Sequence, residues 1–560
     1  MNKGNTYDAI VIGSGISGGW AAKELSEKGL KTIMLERGRN IEHIKDYESP
    51  NKNPWEFPHR GGRTQEMIKN HPVLKRDYPL NETNESFWVN EQESPYVEVK
   101  RFDWFRGYQV GGRSLTWGRQ SYRWSDLDFE ANVKDGYGVD WPIRYKDIAP
   151  WYSYVERFAG ISGNRDGIDV LPDGEYMPPM DMNVVEKDVA ARIKKVYGGK
   201  RHFIIGRTAN ITVPHHGRIN CQYQNKCWLG CNFGAYFSTQ SATLPAAMKT
   251  GNLTVRPFSI VTKILYDKNT KRATGVEILD AETNQTYEYF AKIIFLNASA
   301  LNSAWVLMNS ATEVWENGLG SSSGELGHNV MDHHLGVGAG GRVEGFEDKY
   351  YFGRRANGLY IPRFQNVGQD KRDYLRGFGY QGGASREGWS REIPEMQIGA
   401  AFKEALTEPG TWTIGFGGFG EILPYHENRI YLDKDKKDKW GLPVLAMDIE
   451  IKDNELKMRK DMAAEAKHML ESVGVKDVYT YDNTYGFGQG IHEMGTARMG
   501  RDPKTSVLNG NNQVWDAKNV FVTDGASMAS AACVNPSLTY MALTARAVDF
   551  AVNELKKGNL

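Results

Sequence analysis

Near its start the chain reads Tyr7-Asp8-Ala9-Ile10-Val11-Ile12-Gly13-Ser14-Gly15-Ile16-Ser17-Gly18-Gly19. Residues 7–12 form a short apolar strand, and the glycine turn follows without a gap. An amphipathic run from Trp20 to Lys28 then leads to a second strand, Lys31 to Leu35, which ends at Glu36. This is a βαβ unit with GxGxxG in the context that the motif requires. Gly13, Gly15 and Gly18 let the backbone turn tightly and approach a pyrophosphate, and Ser17 lies in the same turn. The helix N-terminus offers free N–H groups to that anion. Glu36 stands 23 residues after Gly13, where an acid accepts hydrogen bonds from a ribose diol. Taken alone, the motif does not separate NAD from FAD.

The other end of the chain carries chemistry. His492-Glu493-Met494-Gly495-Thr496-Ala497-Arg498-Met499-Gly500 is followed by Val522-Thr523-Asp524-Gly525-Ala526-Ser527 and then by Val534-Asn535-Pro536-Ser537-Leu538-Thr539. His492 stands 43 residues before Asn535, and Pro536 opens a helical run from Ser537. A lone histidine is usually structural. One at the head of such a block is a candidate base, because a neutral imidazole titrates near working pH. Asn535 can orient a hydroxyl without competing for its proton. The helix N-terminus beside it favours negative charge. Between the two ends, Val110-Gly111-Gly112-Arg113-Ser114-Leu115-Thr116-Trp117-Gly118 forms a second glycine loop.

Together these blocks resemble the glucose–methanol–choline oxidoreductase family. The resemblance spans nearly the whole chain, with a looser match in the middle third. It implies FAD rather than NAD. It implies an α/β fold of the p-hydroxybenzoate-hydroxylase type, with a Rossmann-like FAD domain and a second, α+β substrate domain on a mixed sheet. It makes His492 the group that removes the substrate hydroxyl proton and Asn535 its partner. Gly112, Ser114, Thr116, Trp117 and Gly118 become the second flavin loop, and Asp524 with Gly525 contact the ribityl and phosphate chain. Arg37, Val261, Ala298, Pro536 and Ser537 complete the candidate cofactor contacts. In the pyranose-oxidase form of the loop, a histidine that bonds covalently to the flavin stands where this chain has Thr116. Threonine cannot make that bond, so FAD is expected to be dissociable.

Composition bounds the rest. At 560 residues the chain exceeds one compact core. Lys plus Arg and Asp plus Glu both number 69, so no net field draws in nucleic acid or an anionic membrane. No apolar run approaches the ~20 residues of a bilayer span. The first strand begins at Tyr7, so no export leader is expected on this chain. The expected division is discontinuous. Residues 1–50, 101–135, 205–330 and 486–560 build the FAD domain, and 51–100, 136–204 and 331–485 build the substrate domain. Two segments, Thr411–Phe416 and Leu445–Ile451, read as strands of the substrate sheet, and Asn454–Val473 reads as an amphipathic helix closed by Gly474.

Three of the four cysteines lie within eleven positions: Cys221, Cys227 and Cys231. The C-x5-C-x3-C spacing admits a disulfide plus a free thiol, a zinc site completed by His215 or His216, or an iron–sulfur cluster. It is similar to the segment in flavin subunits of bacterial FAD-dependent glucose and fructose dehydrogenases. That likeness implies a [3Fe–4S] cluster, with a four-iron form as the alternative. Cys533 reads as a small buried residue. Asp332-His333-His334 looks like a metal pair, but neighbouring residues point apart, so no metal is assigned to it.

The expected function is oxidation of a pyranose or glycoside secondary alcohol, as in the catalytic subunit of a glucoside 3-dehydrogenase. The competing readings are a gluconate, fructose or sorbitol dehydrogenase subunit, an oxidase using O2, and a non-catalytic flavoprotein. A cluster needs an outlet, so a cytochrome c acceptor and a small subunit carrying an export signal are expected. Localisation is then periplasmic by co-export, and cytoplasmic without that subunit.

Overall fold

The computed structural model describes residues 5–47, 49–351, 353, 355–388 and 398–560. Its first layer is a six-stranded sheet. Ala9–Ile12 occupies the centre and pairs in parallel with Thr32–Leu35 on one side and Ile293–Leu296 on the other. Leu253–Arg256 and Ala517–Val522 extend the sheet in parallel, and Gln513–Val514 closes an edge antiparallel. The central strands are fully buried on both faces, as parallel strands flanked by helices must be.

Register has a direct consequence. Ile12 lies opposite both Leu35 and Leu296, and Leu296 lies opposite Val522. The next residues, Gly13, Glu36, Asn297 and Thr523, therefore leave the sheet at one edge. Ligands of open α/β sheets bind at this carboxyl edge.

Helix Ile16–Glu27 is buried from Ser17 through Ser26, so it is an interior helix rather than the amphipathic one expected. It is covered by helices Ser537–Lys556, Leu244–Lys249 and the aromatic side of Tyr145–Ala159. Even Lys23 is buried within it, held by Glu24 at 2.9 Å and Glu27 at 2.7 Å. A three-stranded antiparallel meander, Ser259–Asp267, Arg272–Asp280 and Thr286–Phe290, flanks the sheet.

The second layer is a seven-stranded sheet in the order Lys476–Asp482, Val337–Val343, Trp412–Glu421, Phe378–Arg386, Leu359–Ile361, Ile204–Ile205, with His333–His334 pairing Trp412–Glu421 beside that path. Every described pairing in it is antiparallel, where a mixed sheet was expected. Leu359–Ile361 and Phe378–Arg386 follow one another with no helix between them, so no crossover forces that pair parallel. Helices Val184–Val196 and Asp453–Ser472 cover one face, with Val185, Val189, Met458, Met462 and Met469 in its core. Burial alternates along Trp412–Glu421, and Phe419 and the neighbouring Gln381 turn toward the first layer. Pro443–Asp448 was expected in this sheet as part of Leu445–Ile451; it belongs instead to a separate three-stranded sheet with Arg429–Lys437 and Val97–Glu98. Hydropathy marks a strand but not its neighbours. Among the described residues no helix is long and apolar enough to cross a membrane.

Candidate active site

A cavity of roughly 460 Å³ lies between the two layers. Gly13, Gly15, Ser17, Glu36, Arg37, Gly112, Ser114, Thr116, Trp117, Gly118, Val261, Ala298, Asp524, Gly525, Asn535, Ser537 and His492 all line it. Gly18 and Pro536 do not. Gly18 works inside the turn: a Cβ there would stand 2.0 Å from the Gly13 carbonyl oxygen, so only glycine lets helix and strand close. Pro536 caps the N-terminus of helix Ser537–Lys556, one position earlier than expected.

Glycine is required at Gly13 as well. Its φ is +91°, and a Cβ would meet the Asn297 carbonyl oxygen at 2.4 Å. Gly15 has nothing within 4 Å of its Cβ position, because it faces the cavity. Glu36 is buried and accepts from the Ser14 backbone N–H at 3.1 Å and the Gly38 N–H at 3.0 Å. Burial pushes its carboxyl up, while the bonds from Ser14 and Gly38 pull it back. Arg37 lies between the rings of Tyr108 and Trp440, with its guanidinium carbon 4.7 Å and 5.1 Å from their centroids. Asp524 accepts from Ser303 Oγ at 2.6 Å and the Ala526 N–H at 3.0 Å, and burial pushes its carboxyl up to about 6.

The second loop is tied to both ends of the chain, and the Gly111 N–H donates to Ser14 Oγ at 2.9 Å. Arg113 donates to both carboxylate oxygens of Glu493, at 3.0 and 2.7 Å, which locks the loop to the segment carrying His492. Trp117 Nε1 donates to the Phe237 carbonyl at 2.8 Å.

The catalytic candidates meet the second layer here. His492 Nδ1 lies 2.7 Å from His333 Nδ1, and His333 Nε2 lies 2.9 Å from the Ala532 carbonyl. Asn535 Oδ1 accepts from Gln381 Nε2 at 2.7 Å. Asp332 holds the segment from below. One of its oxygens accepts the His333 and His492 N–H groups at 2.7 and 2.9 Å, and the other accepts Gly488 and Gly490 at 3.1 Å each. Burial, then Glu493, pushes the Asp332 carboxyl up to about 7. Burial pushes the His492 imidazole well below its usual range, and His333 and Arg113 add to the fall. His333 is pushed down to about 4 by burial. Both rings are neutral at pH 7.

His333, Gln381 and Asp332 were not singled out as site residues from sequence. His333 and His492 are 159 residues apart, and no spacing rule connects them. As expected, His334 points the other way, into the helix side against Met458.

The three neighbouring cysteines are free and half-buried beside the cavity. Trp228 follows Cys227, lines the cavity, and meets the Tyr78 ring edge-on at 5.9 Å. Burial raises the Cys221 thiol, Cys227 and Cys231 push it further, and Arg119 opposes them. Among the described residues no disulfide forms, and no three His, Cys, Asp or Glu side chains converge to hold a single metal ion. His215 instead turns its ring to the Arg157 carbonyl at 2.9 Å. Cys533 is buried.

A model of GMC oxidoreductases matches residues 7–335 through its N-terminal domain and 424–544 through its C-terminal domain. The chain belongs to the GMC oxidoreductase family. It is 28 % identical to a 2-methyl-1,2-propanediol dehydrogenase of Mycolicibacterium austroafricanum, over 97 % of this chain and 94 % of that one. It is 24 % identical to the fructose dehydrogenase large subunit of Gluconobacter japonicus over 100 % of both. A formate oxidase variant of Aspergillus oryzae shares the fold, with a TM-score of 0.62 at 13 % identity over 99 % of both chains. As a GMC oxidoreductase, the chain is an FAD-dependent dehydrogenase or oxidase of sugar or alcohol donors. The cavity fits that cofactor. The carboxyl edge supplies the glycine cradle, and buried polar atoms without partners stand in its wall, among them Asn297 Oδ1, Tyr540 Oη and Trp88 Nε1.

Proposed function

We propose that the chain oxidises a secondary alcohol of a pyranose or glycoside to the keto-sugar, as the catalytic subunit of a glucoside 3-dehydrogenase does. The convergence of His492 and Asn535 on one cavity carries the reading. Bound FAD supplies the hydride acceptor. His492 takes the hydroxyl proton, which makes the carbon a better hydride donor. Asn535, steadied by Gln381, orients the hydroxyl oxygen. The N-terminus of helix Ser537–Lys556 presents free N–H groups to the cavity and favours negative charge there. Trp88, Trp104, Phe105 and Phe419 offer ring faces, and Gln120 and Asn357 offer amides, which suits a polyhydroxylated ring.

Cys221, Cys227 and Cys231 would hold a [3Fe–4S] cluster, which supplies one-electron transfer. A cluster needs its thiolates further apart than one ion does, and these thiols interact without converging. Its anionic charge would meet Arg119, a buried cation whose Nε has no hydrogen-bond partner. The reading includes a small subunit with an export signal, a cytochrome c acceptor and a periplasmic location. The relative named as a large subunit supports a partner subunit. The two-part division given above belongs to the same proposal, with the six-stranded sheet in the FAD domain and the seven-stranded sheet in the substrate domain.

The test is a panel of sugars and glycosides with a dye acceptor and with O2, the product carbon assigned by NMR, and iron counted in the same preparation. 2-Methyl-1,2-propanediol belongs in the panel because the relative named for it is 28 % identical. Turnover of that diol alone would replace the sugar reading. Equal rates with O2 would make the enzyme an oxidase.

A further inference from the structure

We propose that His333 is a positioning residue that fixes the tautomer of His492 and keeps the cavity-facing ring nitrogen of His492 free of hydrogen. The inference rests on His492 taking the substrate proton.

His333 Nε2 lies 2.9 Å from the Ala532 carbonyl oxygen and 3.2 Å from that of Ala531. Carbonyl oxygens only accept, so Nε2 carries the hydrogen. A neutral imidazole has one N–H, so Nδ1 of His333 is bare and accepts. Its partner at 2.7 Å is His492 Nδ1, which must therefore donate. The single hydrogen of His492 is thus on Nδ1, and Nε2 is left with its lone pair. That is the state a base needs before it meets an alcohol.

The surroundings hold this polarity. His333 is buried, His492 is half-buried, and both rings are held below the usual imidazole range, hence neutral, which removes the case of two donors facing each other. They stand nearly perpendicular, at 82° with centroids 4.9 Å apart, so the contact is edge to edge and not a stack. One oxygen of Asp332 accepts both backbone N–H groups, at 2.7 and 2.9 Å, which sets the spacing of the two residues. Ala532 adopts φ +56°, a conformation rare for an L residue, and its carbonyl is one of the two that anchor His333. Once His492 accepts the hydroxyl proton on Nε2, the same Nδ1–H bond becomes charge-assisted and favours the imidazolium. Without the His333 acceptor, the other tautomer places a hydrogen on the nitrogen that must act as base.

The test uses FAD-loaded enzyme labelled with ¹⁵N-histidine, with the His492 resonances assigned by their loss in His492→Gln. The expected result is hydrogen on Nδ1 and none on Nε2. Hydrogen on Nε2 of His492 in the wild type overturns the proposal. Two variants give the kinetic arm. His333→Leu removes the acceptor and should slow flavin reduction by substrate about 10²-fold or more while FAD stays bound. His333→Asn restores an acceptor oxygen and should recover most of that loss. A His333→Leu enzyme that reduces its flavin at the wild-type rate also overturns the proposal. If His333→Leu does not fold, the wild-type spectrum still decides. A wild type that oxidises no alcohol refutes the catalytic reading, and the spectrum judges the tautomer independently of it.

Discussion

The wall of the cavity that carries His492 and the wall that carries the cysteines are built in opposite ways. Around His492 the chain satisfies itself. Asp332 accepts four backbone N–H groups, Arg113 pairs with Glu493 through two bonds, and His333 bridges to the Ala532 carbonyl. Around the cysteines the chain is a loose 3₁₀ turn, Cys227–Leu229, with half-buried free thiols. Tyr223 and Asn225 hold φ of +57° and +55° there. The first wall is preorganised by its own residues, as sites that stabilise developing charge must be. The second wall holds free thiols that the chain leaves unpaired, and these are the thiols that the proposed cluster would occupy.

The sharpest way to break this comparison is at the base. His492→Ala should keep FAD and slow flavin reduction by about 10²–10⁴-fold, read by stopped flow. Near-normal reduction would remove His492 from the chemistry and make its wall merely structural.

The support beneath it comes next. Asp332→Asn turns one side-chain oxygen into an NH2 that faces backbone N–H donors. We expect a loss of about 1–3 kcal/mol in unfolding free energy, measured by denaturant titration with FAD bound. An unchanged midpoint would show that the Asp332 cradle does not hold the segment.

pH sharpens the same wall without mutation. His492 must be neutral to accept a proton, and burial holds its ring well below 6.5. Protonation therefore removes the base only at pH values under that range. The profile of kcat/KM should stay level down through pH 6.5 and fall on the acid side below it. An acid limb at or above the ordinary histidine value would place His492 in a more open, polar setting.

On the other wall the expected effects are small. In the iron-free chain Cys227→Ser should change stability by no more than about 0.5 kcal/mol, because the thiol is half-buried and forms no disulfide. It should leave flavin reduction by sugar intact, abolish the iron signal in electron paramagnetic resonance, and slow electron delivery to cytochrome c. Iron-free wild type, or unchanged delivery, would leave the two walls without a functional difference. The least perturbing test is acid precipitation. Thr116 has no group that bonds to the flavin ring, so the yellow colour should pass entirely into the supernatant. Colour in the pellet would mean that another residue forms the link.

The flavin half was legible in sequence because its signals are local. Strand, glycine turn, helix and Glu36 follow one another within thirty residues. Short-range sterics and backbone polarity act at that range. Helix Asp453–Ser472 and strand Trp412–Glu421 were legible for the same reason, since periodicity reports burial within one element. Helix Ile16–Glu27 shows the limit. Its small residues read as amphipathic, but helices from three other parts of the chain bury every side of it.

Sequence alone marked a dinucleotide-binding turn, a candidate base in His492 and the spacing of the three thiols, because each is carried by a contiguous motif whose chemistry follows from residue type; FAD rather than NAD followed from the resemblance of all the blocks together. Only the tertiary structure decided what those residues touch. It set His333 against His492 and Gln381 against Asn535, and it parted Pro443–Asp448 from the sheet of Trp412–Glu421. The two side-chain pairings span more than a hundred residues each, where a partner is fixed by strand register and layer packing and leaves no trace in its neighbours along the chain.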